Sequence, residues 1–356
     1  MFGLAGCVSC LGRVFKSINQ RFSPQTRQEF PAGFLFPRRH FWQTNRKTKP
    51  MNARLTPQDR KARTWMLLAF AIVYTVWGST YLAIRVAVAT LPPFLLAGIR
   101  FSVAGLGLLL WLRLRGVTLP TARQWGHAAV AGGLLLLGGN GLVVWAEQTV
   151  PSNLAALLVA ITPVWFALLE WARPTGVRPT WQTATGIVVG FSGIALLMAG
   201  RPPLQPGETM NPWGLPALVL AGLCWAAGSL WSRYHARPES PWMNAAAQMS
   251  CGGMALLLVA VLRGEPSQFH GHAVATRSWL ALLYLVVFGS WLAFSAYVYL
   301  LKVSTPARLA TYAYVNPVIA VILGWLMLGE TLTRQTLWAA AISLAGVVIT
   351  TLPRRE

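Results

Sequence analysis

The stretch LPPFLLAGIRFSVAGLGLLLWL (residues 91–112) decides the fold, because its 22 residues include a single charge, Arg100. An α-helix rises about 1.5 Å per residue, so a helix of this length matches the ~30 Å hydrocarbon core of a bilayer. A surface helix of a soluble domain shows a continuous polar face, and this stretch has none. We therefore interpret it as a transmembrane helix.

Blocks of the same kind recur along the whole chain. Reading them between turn signals predicts ten spans, at about 65–84, 91–112, 125–146, 152–171, 180–200, 213–232, 242–262, 278–300, 305–328 and 335–352. Because lipid offers the backbone no hydrogen-bond partners, each block must be helical. The predicted fold class is an all-α integral membrane protein with ten transmembrane helices.

Composition and charge favour the same class. Of the 356 residues, 55% are hydrophobic and only 11% are charged, whereas a soluble domain carries about 25% charged residues. The net charge of +21 would suggest nucleic acid in a soluble protein. Here about half of it lies in residues 1–64 and much of the rest in short loops, which is the distribution that orients membrane proteins. We predict the lipid bilayer as a partner and no nucleic acid.

The N-terminal segment, residues 1–64, is basic and lacks the apolar core and cleavage site of a signal peptide. We expect a disordered tail, and we hypothesise that the functional chain begins at Met51. N-terminal sequencing of the natively expressed protein tests this, since a first residue well before Met51 would disprove it. Cys7 and Cys10 form a lone CxxC with no second pair, so we predict no metal site there.

The two halves of the chain resemble each other at a spacing of 153 or 154 residues. Arg123-Gln-Trp125, for example, corresponds to Arg277-Ser-Trp279. The common order of such matches predicts two five-helix repeats, 65–200 and 213–352. Since five is odd, the second repeat enters the membrane from the opposite side, which is the inverted architecture of many secondary transporters.

Basic residues in the loops predict the orientation. With the N-terminus inside, the inner loops and C-terminal tail hold the larger set: Arg113, Arg115, Arg123, Arg173, Arg178, Arg233, Arg237, Lys302, Arg354 and Arg355. The outer loops hold Arg85, Arg201, Arg263, Arg277 and Arg334. This excess predicts a multi-pass protein of the bacterial inner membrane with both termini in the cytoplasm.

Arg100 is a candidate functional residue, because it lies inside an apolar block. A charge at that depth costs about 2.5 kcal/mol or more unless it faces the bundle interior or water. One interpretation is a cavity residue that attracts a substrate carboxylate or a partner acid. The other is a structural arginine that binds helix-end carbonyls or extends to the interface. The residues alone leave both open.

Two other spans carry candidate cavity residues. Tyr74, Trp77 and Tyr81 are spaced i, i+3 and i+7, so they share one face, either an aromatic cavity wall or a packed interface. Asn140 lies seven residues before Glu147, which predicts one shared face on the third span. Asn140 is a cavity candidate. Glu147 is the candidate for proton coupling, with ordinary interfacial solvation as the alternative.

Pro163 and Pro317 occupy corresponding places in the fourth and ninth spans. Each removes a backbone donor and is expected to kink its helix, and matching broken helices point to a central binding site. Before Pro317, the residues Tyr312, Tyr314 and Asn316 alternate and therefore spread around the helix. We expect two of the three to face a cavity, with simple packing as the alternative.

Enzymatic motifs are absent from the sequence. It contains no GxxxxGK[ST] loop, no HExxH and no GxSxG. We therefore predict that the protein is not an enzyme and that it uses neither a cofactor nor a metal.

Ordered motifs relate the chain to a known family. WGSTYLAIRVAVATLPPFLLAGIRF (77–101) and TPARLATYAYVNPVIAVILGWLMLGE (305–330) resemble the EamA family of the drug/metabolite transporter (DMT) superfamily. The order WGSTY, PP-x4-G-x-R-F, NG-x3-WAE and YAYVNP-x11-GE is similar to its YedA-like exporter subgroup. The resemblance covers about residues 65–352. It implies two inverted EamA repeats, a central cavity and alternating access, and it marks these positions for testing: Trp77, Gly78, Arg100, Asn140, Glu147, Tyr314, Asn316 and Pro317.

We therefore predict a secondary transporter that exports small metabolites, amino acids or toxic compounds across the inner membrane by alternating access. Two other classes stay open: a non-transporting membrane sensor or assembly protein, and a membrane-embedded enzyme. Saturable flux of a small-molecule substrate in reconstituted vesicles separates the first class from the others. The substrate, proton coupling against facilitated diffusion, and a monomer against a homodimer are left open by the sequence.

Overall fold

Every regular element that the computed structural model describes is helical. It describes residues 57–150, 152–174, 176, 178–199, 211–271, 274–328 and 334–351. The chain divides into two units, Met1–Arg60 and Lys61–Glu356, and the first is described only from residue 57. Most of the predicted tail, with its hypothetical start at Met51, lies outside the described residues.

The first half of the chain contains α1 to α7. Their bounds are α1 Pro57–Val88, α2 Pro93–Leu114, α3 Ala122–Gly132, α4 Leu142–Ala146, α5 Ser152–Val159, α6 Thr162–Ala172 and α7 Trp181–Ala199. A π-helical stretch, Gly133–Gly141, joins α3 to α4 and is called the first π segment.

The second half contains α8 to α15. Their bounds are α8 Gly214–Tyr234, α9 Pro241–Leu262, α10 Glu265–Gln268, α11 Thr276–Tyr284, α12 Ser295–Val303, α13 Pro306–Leu309, α14 Tyr312–Leu328 and α15 Arg334–Thr351. The second π segment, Leu285–Phe294, joins α11 to α12. The two π segments therefore occupy corresponding places in the two halves.

Several helices are long and apolar enough to cross a membrane. Within the described ranges six qualify: Ala62–Val88, Pro93–Leu114, Ala122–Ala146, Gly214–Tyr234, Pro241–Leu262 and Thr276–Val303. A shorter apolar stretch, Leu337–Thr350, lies in α15. The chain is therefore a multi-pass membrane protein.

Helix starts follow from local sequence. Thr121 caps α3 with a reciprocal pair of bonds, in which its side chain accepts from the Gln124 amide and the Gln124 side chain accepts from the Thr121 amide. Ser240 caps α9 ahead of Pro241, whose missing N–H costs nothing at a first helical position. The first helix likewise begins at Pro57, so residues 57–64 belong to α1. The prediction of a disordered tail is wrong for these residues.

Two of the predicted spans, the fourth and the ninth, are interrupted in the structure. Segment 152–171 is divided into α5 and α6 by a turn at residues 160–161. Pro163, the second residue of α6, has no N–H for the carbonyl of Val159, and Thr162 Oγ1 donates to that carbonyl at 2.5 Å instead. The proline and the hydroxyl together account for the break.

Segment 305–328 is divided into α13 and α14 by a turn at residues 310–311, ahead of Pro317. Thr311 Oγ1 donates to the carbonyl of Arg308 at 2.6 Å, and such a local bond competes with the helical pattern. Pro317 itself lies inside α14, which continues through it. A kink at Pro317 stays a prediction.

Corresponding helices of the two halves pack against each other. In α2 and α9 a spacing of 148 residues aligns Ser102 with Ser250 and Gly105 with Gly253. A Cβ added to Gly253 would lie 2.5 Å from the backbone nitrogen of Ser102, and one added to Gly105 would meet the backbone nitrogen of Ser250. The contact is therefore reciprocal. Later residues of α2 meet earlier residues of α9, so the two helices are antiparallel.

The pair α7 and α15 repeats this arrangement. A spacing of 153 residues aligns Gly190 with Ser343 and Gly193 with Gly346. A Cβ on Gly193 would lie 2.5 Å from the backbone nitrogen of Ser343, and one on Gly346 would meet the backbone nitrogen of Gly190. These two antiparallel pairs make the most extensive helix–helix contacts in the described chain.

Candidate functional site

A central cavity lies among helices of both halves. Its described lining comes from α1, α2, α4, α5, α8, α14 and both π segments. The lining residues are Trp77, Thr80, Tyr81, Ile84, Arg100, Phe101, Gly139, Asn140, Val143, Val159, Ala221, Trp225, Gly289, Phe294, Tyr312 and Asn316. The cavity is thus built by residues that are far apart in the sequence.

Five of the predicted site residues meet at this cavity: Trp77, Arg100, Asn140, Tyr312 and Asn316. Tyr312 and Asn316 are four residues apart on α14 and therefore share a face. Tyr81 of the predicted aromatic face also lines the cavity.

Tyr74 and Tyr314 do not line the cavity in this structure. The hydroxyl of Tyr74 is 2.6 Å from Oγ1 of Thr311, so Tyr74 joins α1 to the start of α14. Tyr314 is buried, and its ring lies against Gly190 of α7. Both residues pack α14 against its neighbours.

The other ten described lining residues were not predicted to lie at the site. They are Thr80, Ile84, Phe101, Gly139, Val143, Val159, Ala221, Trp225, Gly289 and Phe294. The glycines offered one signal, because GGNG (138–141) and Gly289 interrupt otherwise bulky spans. Glycine within a membrane helix marks a close approach of another group. The GGNG stretch lies in the first π segment and Gly289 lies in the second.

Arg100 is held from one side. Its Nε donates to Ser290 Oγ at 2.9 Å, and its guanidinium carbon lies 4.5 Å from the centre of the Phe101 ring. A Cβ added to Gly289 would lie 2.8 Å from Nη2, so the glycine makes room for the guanidinium. The side chain is 3% exposed, and Nη1 has no hydrogen-bond partner among the described residues. A buried and only partly satisfied cation therefore lines the cavity.

An aromatic cluster forms one wall of the cavity. Trp77 lies 5.3 Å from Trp225, 4.9 Å from Tyr297 and 5.3 Å from Tyr312, measured between ring centres. Trp77 Nε1 donates to the carbonyl of Gly289 at 3.2 Å, and Trp225 Nε1 donates to the Tyr297 hydroxyl at 2.9 Å. Both indole N–H groups are thus satisfied by the protein, one by a backbone carbonyl and one within the cluster.

Two amides contribute polar atoms to the lining. In the orientation that satisfies its hydrogen bonds, the Asn316 nitrogen donates to the carbonyls of Tyr74 at 3.3 Å and Tyr312 at 3.1 Å. Its oxygen remains as an acceptor. The side-chain oxygen of Asn140 is buried and has no partner within the described ranges.

Glu147 follows the last residue of α4 and is fully buried, but it does not line the cavity. Both carboxyl oxygens lack a hydrogen-bond partner in the described part of the chain. Arg85 Nη1 donates to the backbone carbonyl of Glu147 at 2.6 Å, and both Arg85 and Arg100 interact electrostatically with its carboxyl group. The prediction that Asn140 and Glu147 share one face assumed a continuous α-helix. Asn140 lies in the first π segment, where successive residues have a different angular spacing than in an α-helix.

Within the described part of the chain, no group of three or more His, Cys, Asp or Glu side chains lies close enough together to hold a metal ion.

Comparisons with known proteins agree with this architecture. A profile of the EamA-like transporter family matches residues 63–199 and 212–352. The chain is 38% identical over 286 residues to the "uncharacterized inner membrane transporter YedA" of Escherichia coli (strain K12), an alignment that covers 80% of this chain and 90% of that protein.

Two further relatives are more distant. A "probable terminal-alkyne amino-acid exporter" of Streptantibioticus cattleyicolor is 30% identical over 299 residues, covering 81% of this chain and 95% of that protein. A solved crystal structure superposes with a TM-score of 0.65 at 21% identity, covering 81% of this chain and 96% of the other, which shows a shared fold.

Proposed function

This chain belongs to the EamA-like transporter family, and we propose that it exports small metabolites, amino acids or toxic compounds across a bacterial inner membrane. The observation that carries the proposal is the central cavity, which both halves line and whose described lining includes one buried cation, Arg100. Relatives that are named as transporters support transport without chemical change to the substrate, rather than catalysis.

The proposal includes ten spans arranged as two inverted five-helix repeats, 65–200 and 213–352. The reciprocal contacts of α2 with α9 and of α7 with α15 support it. A two-fold axis that relates two touching helices and makes them antiparallel must run perpendicular to them. Such an axis lies in the membrane plane, as in inverted-repeat transporters.

We place both termini in the cytoplasm. The excess of basic residues in the loops on that side supports this orientation. α1 then runs outward, so the cavity extends from Trp77 toward the outer face, past Tyr81 and Ile84.

In this orientation a set of contacts closes the cavity on its cytoplasmic side. Tyr74 bonds to Thr311, and the hydroxyls of Tyr297 and Ser229 are 2.6 Å apart. Each of these residues lies within about one turn of a cavity-lining residue on the same part of the chain. A net hydrogen bond contributes about 1 kcal/mol, so rocking of the helices can break these contacts and expose the cavity inward. The proposed mechanism is therefore alternating access.

The proposed substrate contacts are Arg100, Trp77, Asn140, Tyr312 and Asn316, which meet at the cavity. Tyr74 and Tyr314 are proposed to act indirectly, by holding α14 in place.

The test compares culture media by untargeted metabolite analysis. Cells that overproduce the protein are compared with cells that produce Arg100→Ala or Asn316→Ala at matched membrane levels, and Gly126→Ala is the control because an added Cβ there meets nothing within 4 Å. We expect metabolites enriched outside with the unmodified protein and the control, but not with the two cavity variants. Equal enrichment with Arg100→Ala would remove Arg100 from the site.

Glu147 is the proposed coupling group, because it is a buried carboxyl group without a hydrogen-bond partner among the described residues and it interacts with two arginines. In reconstituted vesicles, Glu147→Gln should lose acceleration of flux by a pH gradient while keeping exchange of substrate for substrate. Glu170→Gln is the control, since Glu170 pairs with Arg173 at 2.7 Å outside the cavity. Unchanged response to the pH gradient in Glu147→Gln would exclude the role.

A further inference from the structure

We propose that the central cavity selects substrates that carry one net negative charge on an apolar body, in preference to net-neutral zwitterions. The inference rests on the proposed function and narrows its substrate class. It follows from the charge balance of the cavity and from the way Arg100 is held.

The charge balance is positive. Among the described lining residues, Arg100 is the one side chain with a formal charge at neutral pH. The groups that interact with it electrostatically include Glu147, which in turn interacts with Arg85. If Glu147 is ionised, the three groups sum to one positive charge, and if it is protonated the sum is more positive. In both cases the three groups carry a net positive charge.

The guanidinium of Arg100 lines the cavity and is only partly satisfied by the protein. The hydroxyl of Ser290 accepts a hydrogen bond from Nε, Gly289 lies against Nη2, and the buried Nη1 has no partner within the described ranges. A carboxylate bound by this guanidinium would form a charge-assisted hydrogen bond, which is about twice as strong as a neutral one. Since a buried unpaired charge is costly in a membrane, the occupant that neutralises it is favoured.

A zwitterion is less well matched to this lining. Its carboxylate can bind Arg100, but its ammonium group meets only neutral acceptors, such as the oxygens of Asn140 and Asn316. The faces of aromatic rings can also attract a cation. The rings of Trp77, Trp225 and Tyr312, however, already pack against one another. A net-neutral occupant therefore leaves the positive charge of the site in place.

The rest of the lining fits an apolar body. Phe101, Phe294, Ile84, Val143 and Val159 surround the space. The chemical class is an amphipathic monocarboxylate.

The test uses four probes that share one phenylpropyl body and differ in charge: phenylpropanoate, phenylalanine, phenylpropanamide and phenylpropylamine. Binding to the purified full chain in detergent is measured by calorimetry. We expect phenylpropanoate to bind about tenfold or more tightly than each of the others, as one charge-assisted bond implies. Comparable or tighter binding of phenylalanine, or no binding of phenylpropanoate, would overturn the inference.

Variants test the role of the guanidinium. Arg100→Met should lose phenylpropanoate binding, and Arg115→Gln, which removes an exposed loop cation, should keep it. Phenylpropanoate binding that survives in Arg100→Met would also overturn the inference. If Arg100→Met does not fold, the order of the four probes on the unmodified protein decides alone.

Failure of the inference is distinguishable from failure of the proposed function. Vesicles that exchange phenylalanine but not phenylpropanoate would uphold transport and overturn the charge preference. Selective binding of phenylpropanoate without exchange of any probe or medium metabolite would support the charge preference and reject transport.

Discussion

At the scale of single residues, the position of Arg100 depends on a neighbour with no side chain. Gly289 belongs to the second π segment, and its backbone carbonyl accepts the Trp77 indole N–H while its bare Cα faces the guanidinium. The hydroxyl oxygen of the next residue, Ser290, accepts a hydrogen bond from Nε of Arg100. One short stretch of backbone therefore orients both the cation and the indole that line the cavity.

Gly289→Ala should displace the guanidinium, because the new Cβ would lie 2.8 Å from Nη2 of Arg100 and 3.2 Å from Cγ2 of Thr80. Overpacking of this kind costs about 1–3 kcal/mol. We expect the KM for transport to rise about tenfold. Gly133→Ala is the matched control, since Gly133 lies in the first π segment with nothing within 4 Å of an added Cβ. An unchanged KM in Gly289→Ala would contradict the positioning role.

At the scale of helices, close backbone contact joins the two halves. The stripes Ser102/Gly105 and Ser250/Gly253 let α2 and α9 approach without intervening side chains, as small residues do in membrane helix pairs. The π segments pack in a similar way, since a Cβ on Gly139 would lie 2.8 Å from the Trp225 ring. The glycines therefore set the distances between helices around the cavity.

Gly105→Ala should destabilise the protein, because its Cβ would meet the backbone of Ser250, which cannot rotate away. We expect a loss of about 1–3 kcal/mol, seen as a lower Tm in detergent. Gly253→Ala should behave alike, because the contact is reciprocal. Gly126→Ala, on an open face of α3, should leave the Tm close to that of the unmodified protein. A large effect in one of the paired glycines and none in the other would argue against equivalent contacts.

Glu265, the first residue of α10, supports the start of α2. Its Oε2 accepts from the Leu95 amide at 2.7 Å, so Glu265→Ala should lower stability by about 1 kcal/mol, measured as Tm.

Burial raises the pKa of the Glu265 carboxyl above its ordinary value. The folded protein then holds this proton at a higher pH than the unfolded chain, so the free energy of unfolding falls as pH rises from about 4.3 through the raised pKa. Glu265→Gln should lack that fall, and an identical pH profile would refute the assignment.

At the scale of the whole molecule, the two halves form one cavity with contacts that differ on its two sides. Tyr74, Thr311, Ser229 and Tyr297 form hydrogen bonds on the side of the N-terminal part of α1. The side with Arg85 and Glu147 instead holds the charges. The membrane orientation therefore decides which of these two sides faces the cytoplasm.

Labelling of single cysteines tests that orientation, in a background where Cys7, Cys10, Cys224 and Cys251 are replaced by serine. Ser267→Cys, an exposed position after α9, should react with a membrane-impermeant thiol reagent in intact cells. Arg115→Cys, an exposed position after α2, should react only after the membrane is permeabilised. The reverse pattern would place the termini outside.

The candidate site was only partly predictable from the sequence. Arg100 and Asn316 stood out because a charge or an amide is rare in an apolar span. Trp225 and Phe294 did not, because an aromatic residue in such a span is equally suited to lipid, to packing or to a cavity. Tyr74 and Tyr314 were expected at the site, yet they pack against neighbouring helices.

The sequence by itself determined the membrane class, the approximate helical segments and the family, because apolar length, loop charge and ordered motifs are local properties of the chain. Only the tertiary structure decided which helix faces converge, where the fourth and ninth segments break, and how Gly289 and Ser290 hold Arg100. These features depend on contacts between residues nearly 200 positions apart and on π-helical turns that change the register of a face. Helical periodicity alone predicts neither these long-range contacts nor the π-helical turns.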